Sequence, residues 1–437
     1  MTGPAIRPEP RREDVDLLGI GFGPANLALA IALHEDGHGR SLFLERQPCF
    51  GWHRGMLIDD ATMQVSFLKD LVTMRNPTSS FSFVAFLHER GQLVDFINCK
   101  TLFPLRIEFH EYLSWAAERV GDVVDYSHEV VDVRPCWSED GDLDGFDVVA
   151  LDGGRRTVRR TRDVVIAAGL EPLLPVGIEP SERVWHTSRL LPNAERIAER
   201  GTAPRRFVVV GAGQSAAEAV AYLHREFRTA EVCSVFTRFG YSPADDSPFA
   251  NRVFDPEAAE LFHDAPREVK QLLLAYHRNT NYSVVDAELI EQLYREQYRE
   301  RLRGAERLRM LPVSRLASCH ETPDGVDVVI ECLATEELTA LRADAVVFAT
   351  GYQPVDPLRL LGCAGDLCAR DDDGLACVRR DHSLELTVPS AASIYVQGAT
   401  EHAFGLSSTL LSLAAVRAGE IATALSAGRR HVVPAAS

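Results

Sequence analysis

Along the chain, short continuous apolar runs alternate with stretches whose apolar residues recur at helical spacing, as buried parallel strands and their crossover helices do. The run at 15–20 leads into Gly21-Phe22-Gly23-Pro24-Ala25-Asn26 and then a helical stretch at 27–34. The run at 207–210 leads in the same way into Gly211-Ala212-Gly213-Gln214-Ser215-Ala216 and a helix through Leu223. In both, a strand passes through a glycine turn onto a helix N-terminus, where backbone N–H groups and the helix dipole can hold a dinucleotide's phosphates. Two further strands, at 163–169 and 344–352, end in small-residue corners, the second at Gly351 and Tyr352, where backbone can pass close to a cofactor. Between these landmarks the pattern predicts helices at 81–90 and 107–120 and strands around 123–133, 147–151 and 326–330. It also predicts a mostly helical stretch at 242–305 and a last helix at 407–427.

The fold class expected is α/β: two Rossmann-like dinucleotide-binding domains with a small helical substrate-binding insertion. The first domain is expected from 14–175 and 340–437, the second from 176–241 and 306–339. Residues 242–305 form the insertion, and 1–13 a flexible N-terminus.

The ends of the second strands separate the two nucleotide sites. The strand at 41–44 runs into Glu45, a carboxylate placed for a ribose diol. The equivalent strand at 231–236 ends in Thr237-Arg238 with no acid, and a guanidinium suits a 2′-phosphate. The first site therefore reads as FAD and the second as NADPH. A solvated strand end is the alternative for both residues.

Composition narrows the partners. A net charge of −17 argues against nucleic acid or an anionic membrane. No run of about 18 apolar residues is present to span a bilayer. The nine cysteines are scattered without a C-x-x-C, as in a reducing cytosol, and the head of the chain lacks a signal-peptide pattern, so a cytoplasmic protein is expected. No metal-ligand spacing is found.

Several blocks have no role in a generic flavoprotein: Met63-Gln64-Val65-Ser66-Phe67-Leu68-Lys69-Asp70-Leu71, Ser247-Pro248-Phe249-Ala250-Asn251, Asn279-Thr280-Asn281-Tyr282-Ser283-Val284-Val285 and Gly405-Leu406-Ser407-Ser408-Thr409-Leu410-Leu411-Ser412. With the two glycine turns and Ala349-Thr350-Gly351-Tyr352, they make the sequence resemble the flavin-dependent N-hydroxylating monooxygenases, in particular the L-ornithine N5-hydroxylases and their L-lysine N6-hydroxylating relatives. The resemblance runs nearly end to end.

It implies that Lys69, Asn251, Asn281 and Ser408 hold the amino-acid end of the substrate. A lysine can pair with an α-carboxylate, and an asparagine amide both donates and accepts. It places Gln64 and Arg106 beside the flavin and Ser407 at the N-cap of the last helix, with catalytic roles, and Trp52, His53 and Thr409 against the cofactor. Gly21, Gly23, Asn26, Glu45, Gly351 and Tyr352 complete the FAD set; Gly211, Gly213, Gln214, Ser215 and Arg238 complete the NADPH set. The implied reaction takes electrons from NADPH to FAD, forms a C4a-hydroperoxyflavin with O2, and hydroxylates the δ-amine of ornithine for siderophore or related biosynthesis by a homo-oligomer, dimer or tetramer.

Lysine differs by one methylene, and a diamine offers no carboxylate to Lys69. A disulfide reductase would need a redox cysteine pair, which the absence of C-x-x-C disfavours, and a flavin-binding protein without turnover is the last alternative. One departure is Phe404 before Gly405, where the family has His; His402 stands two residues earlier.

Overall fold

The first strand, Glu13–Ile20, is flanked by two parallel partners: Leu17 stands opposite Ser41 on one side, and Ile20 opposite Ile166 on the other. In this computed structural model residues 13–430 are described. The flexible N-terminus expected at 1–13 lies outside them apart from Glu13.

Around that strand the sheet runs Val124–Tyr126, Ser41–Glu45, Glu13–Ile20, Arg155–Ile166, then antiparallel Leu143–Asp152 and His128–Trp137. The strand Arg155–Ile166 is long enough to divide its outer edge. Its first half pairs with Leu143–Asp152, and its last three residues take Ile394–Val396 in parallel. The helix after the first glycine turn, Pro24–Glu35, buries every residue from Asn26 to Leu33. One side faces this sheet. The other meets Ala414, Ala418, Ile421 and Ala422 of the last helix, Ala414–Arg430, whose small side chains allow close approach.

A second sheet is wholly parallel: Leu308–Leu311, Glu231–Val235, Arg206–Val210, Ala345–Phe348, Val184–His186. The antiparallel strands Ser314–Thr322, Gly325–Cys332 and Leu338–Ala343 cover one face, burying Val326, Val328 and Ile330 against Val208, Val346 and Phe348. The segment expected to be helical holds three helices, Pro256–Asp264, Arg267–Asn281 and Ala287–Arg303.

Three sequence-based expectations change, and one helix is added. Ala345–Phe348 was expected in the domain of the first turn but is central in the second sheet, so the boundary at 340 moves beyond this strand. The strand at 123–133 is broken at Ser127, whose φ of 61° turns the chain between Val124–Tyr126 and His128–Trp137. Ser407 is not the N-cap of the last helix: it lies in a 3-10 turn, Leu406–Thr409, and a second turn, Leu411–Leu413, precedes Ala414. A short helix not expected from the sequence, Leu93–Cys99, sets Leu93 and Phe96 against the first core while burying no residue fully.

Both small-residue corners end on the glycine turns. A Cβ at Gly21 would stand 2.6 Å from the Ala167 carbonyl oxygen, and one at Gly211 would stand 2.3 Å from that of Ala349. Beyond the corners the two connections, Leu170–Pro172 and Tyr352–Pro354, pair antiparallel as a single ribbon. The glycine turns of both sheets are thus anchored to the two strands of one hinge.

Candidate active site

The first glycine turn has the shape a pyrophosphate needs. Gly21 has φ +83°, no atom lies within 4 Å of where a Gly23 side chain would begin, and Gly23 caps the helix. Glu45 reaches back across it: Oε2 accepts the Phe22 N–H at 2.7 Å, and Oε1 accepts that of Gln47 at 2.9 Å. Its carboxylate therefore braces the turn. Asn26 is a brace too. Its amide donates to the Gly21 carbonyl at 2.6 Å and accepts from Gln397 at 2.8 Å, which leaves the cofactor to the backbone.

The second turn is similar. Gly211 has φ +144°, and Gly213 caps the helix Gln214–Glu226, whose first turn holds the part-buried Ser215. Gly213 lies 3.4 Å, measured from its would-be Cβ, from the Cα of Ser283. Arg238 donates to the Ser283 carbonyl at 2.9 Å. That bond fixes the guanidinium beside the turn and occupies one of its five N–H donors, so an anion can still be gripped. Both turns fit dinucleotides.

Residues from both domains and the insertion meet between the turns. Arg106 does not stand free for catalysis. Its guanidinium binds Glu218 through two bonds of 2.8 and 2.6 Å and adds the Met56 carbonyl at 3.0 Å. The pair is nearly out of water, with side-chain exposures of 11% and 7%. Gln64 donates to Asp286 Oδ1 at 3.3 Å, and Gln214 donates to Asp286 Oδ2 at 2.7 Å. Glu218 and Asp286 are missing from the sequence-based set because their partners lie far away in the chain. A carboxylate four residues after Gln214 reads only as a helix-face charge.

An aromatic group sits at the hinge. The ring of His53 meets Trp52 edge-on at 4.5 Å and Tyr352 at 6.2 Å, while Tyr352 meets His186 at 4.8 Å. Gly351 beside it has φ +83° with open space above. Water reaches the His53 ring, yet protein crowds it closely, and that crowding with the Arg106 charge holds its pKa down to about 4. His186 is fully buried, accepts the Ser188 N–H on Nδ1 at 3.1 Å, and is likewise pulled down to about 4 by burial.

Of the substrate set, Lys69 is half-buried with its ammonium 5.8 Å from the Phe254 ring centroid. Burial lowers its pKa, and Asp255 opposes the shift. Asn251 is exposed and donates to the Asp246 carbonyl at 2.8 Å. The side chain of Asn281 lies outside the described residues. Ser407 and Ser408 are buried, and Ser408 Oγ has no hydrogen-bond partner among the described residues. The buried Arg417 holds the Ser408 carbonyl at 2.8 Å, and Thr409 lies next to Tyr282. Phe404 packs its ring 4.4 Å from His382 and 5.0 Å from His263. It lines a cavity of about 790 Å³ between the last helix and Pro256–Asp264.

A family model for L-lysine 6-monooxygenase/L-ornithine 5-monooxygenase matches residues 13–354. The chain belongs to this family. The L-ornithine N(5)-monooxygenase of Burkholderia cepacia is 41% identical over 90% of the chain and 91% of its own length. A structure of the ornithine N-hydroxylase of Kutzneria sp. 744 with reduced FAD, NADP+ and L-ornithine is 43% identical with a TM-score of 0.91, covering 96% of this chain and all of that one. The L-lysine 6-monooxygenase of Pseudomonas syringae is 31% identical with a TM-score of 0.81, covering 95% and 99%. The α/β architecture with two dinucleotide domains is therefore that of the family. Among the described residues no helix is long and apolar enough to cross a membrane, and no cluster of metal-ligand residues occurs.

Two outcomes follow for this family member. Removing one partner of a buried ion pair strands the other charge, so Glu218→Ala should lower stability by about 3 kcal/mol. Adding Arg106→Ala should recover part of that loss in denaturant melts; equal, additive losses would show no coupling. His186 has a folded pKa depressed below its ordinary 6.5. The unfolded chain then binds a proton that the folded one does not, and stability should fall as pH drops from 6.5 towards 4. His186→Gln should flatten that slope in thermal melts across this range.

Proposed function

We propose that the chain is an FAD- and NADPH-dependent monooxygenase that hydroxylates the side-chain amine of L-ornithine to N5-hydroxyornithine. The observation carrying this reading is Lys69. Its half-buried ammonium stands over the Phe254 ring with Asp255 nearby, a placement suited to an incoming α-carboxylate. The more similar relatives being ornithine enzymes supports the same substrate.

Lys69, with Asn251, Asn281 and Ser408, would hold the carboxylate and α-ammonium and aim the distal amine towards the flavin. Gly21, Gly23 and Glu45 would bind FAD at one end, with Trp52, His53, Gln64, Tyr352, Ser407 and Thr409 nearer the ring. Gly211, Gly213, Ser215 and Arg238 would bind NADPH. When bound, FAD reduced by NADPH would supply the chemistry that activates O2, one atom going to the amine and the other to water. The chain's own work is to orient the amine, receive it as the neutral base and keep water out.

We further infer a cytoplasmic enzyme of siderophore or related biosynthesis. Exposed Tyr294, Tyr298 and Leu302, one turn apart on Ala287–Arg303, support self-association.

The test is hydroxylamine formation with FAD, NADPH and air from L-ornithine, L-lysine, putrescine and cadaverine. One methylene is worth about 1–3 kcal/mol, so ornithine should exceed lysine in kcat/KM by at least about tenfold. The diamines should give little product. Lys69→Ala should raise KM for ornithine by about a hundredfold, the loss of a charged contact of roughly 3 kcal/mol. Product mainly from a diamine, or an unchanged KM, contradicts the assignment.

A further inference from the structure

Asp286 sits where three parts of the molecule meet, and its hydrogen bonds are divided among them. It caps the insertion helix Ala287–Arg303. Its Oδ1 accepts from Gln64, on the loop that follows the first sheet's second strand, at 3.3 Å. Its Oδ2 accepts from Gln214, the first residue of the second glycine helix, at 2.7 Å, and its backbone N–H donates back to Gln214 Oε1 at 2.8 Å. The second N–H of the Gln214 amide goes to Glu218 Oε1 at 3.0 Å. Both donors of Gln214 are thus occupied within the protein, and its side chain has none left for a dinucleotide. The expectation that Gln214 grips the cofactor directly gives way to another role: it fixes the start of the helix on which the cofactor rests.

We propose that Asp286 is a positioning residue that locks the second glycine turn to the loop carrying Gln64, so that its carboxylate, beside the Arg106–Glu218 pair, helps set the two dinucleotide sites relative to each other. The proposal rests on the two-dinucleotide reading above. A parallel tie runs from Thr62 on the same loop through Arg106 to Glu218, but it touches neither Gln64 nor Asp286. The carboxylate suits the task because it accepts from two amides at once. An asparagine in its place would present one oxygen and an N–H₂ that opposes one of those donors. Burial raises the Asp286 pKa, while the bonds from Gln64 and Gln214 oppose the shift and favour the ionised, acceptor-only form.

The consequence is long-range. Gln64 belongs to the first domain, yet its removal should be felt at the second turn, and only through Asp286. The measurement is the dissociation constant of NADP+ for the FAD-loaded protein by isothermal titration. Gln64 is exposed, so Gln64→Leu does not threaten the fold. One lost hydrogen bond of about 1 kcal/mol predicts NADP+ binding about threefold to fivefold weaker in Gln64→Leu, and weaker still in Asp286→Asn. In an Asp286→Ala background, where Gln64 has no acceptor left, Gln64→Leu should add nothing, a non-additivity that a merely destabilising substitution does not produce. An unchanged constant in Gln64→Leu overturns the proposal. So does the same loss from Gln64→Leu with and without Asp286. Failure of the unsubstituted protein to bind NADP+ would overturn the assignment of the second site itself, and the relay with it.

Discussion

Two backbone contacts govern the rest of this structure. The carbonyl of Ala167 faces Gly21 and that of Ala349 faces Gly211, each so close that no side chain fits between. At each contact the glycine takes a positive φ and the chain makes a sharp strand-to-helix turn, which brings a helix N-terminus to the carboxyl end of its sheet. Because the chain leaves both corners through one antiparallel ribbon, Leu170–Pro172 with Tyr352–Pro354, the two turns face a common hinge. Electron transfer between two bound dinucleotides needs that arrangement, and it follows from the placement of two glycines and two alanines.

Polar groups at this junction are bound to protein before any ligand arrives. Glu45 and Asn26 stiffen the first turn, and Arg106 with Glu218 ties the first domain to the second glycine helix. Asp286 joins the insertion to both. Side chains already held in this way lose little freedom when cofactor and substrate bind, and a water-poor interior strengthens the contacts they make. Lys69 and Ser408 differ. One is a half-buried ammonium and the other a buried hydroxyl with no hydrogen-bond partner among the described residues, and both suit a polar substrate that completes the set.

The parts of this design that depend on local sequence were legible. A glycine turn, a strand-ending carboxylate or an apolar run acts within a few residues, so Gly21, Glu45, Gly211 and the central strands could be read directly. What depends on distant partners could not. Ala345–Phe348 has the same strand–Ala–Gly form as the strand ending at Ala167, and nothing local says which sheet will accept it. Arg155–Ile166 begins with a charged, half-exposed stretch that hides its first half. Ser407 looked like a helix cap because its hydroxyl precedes an apolar stretch, but two 3-10 turns intervene. Arg106 was read from its motif and not from its partner, Glu218, 112 residues away.

The most direct test of the central claim is the visible spectrum of a Gly211→Ala variant before and after NADPH is added. With the first turn intact and the second blocked by the Ala349 carbonyl, the protein should purify with its full flavin band. That band should bleach with dithionite but not with NADPH on the timescale of the unsubstituted enzyme. Bleaching by NADPH at the normal rate, or complete loss of flavin, would contradict the assignment of two separate dinucleotide sites built on these two turns.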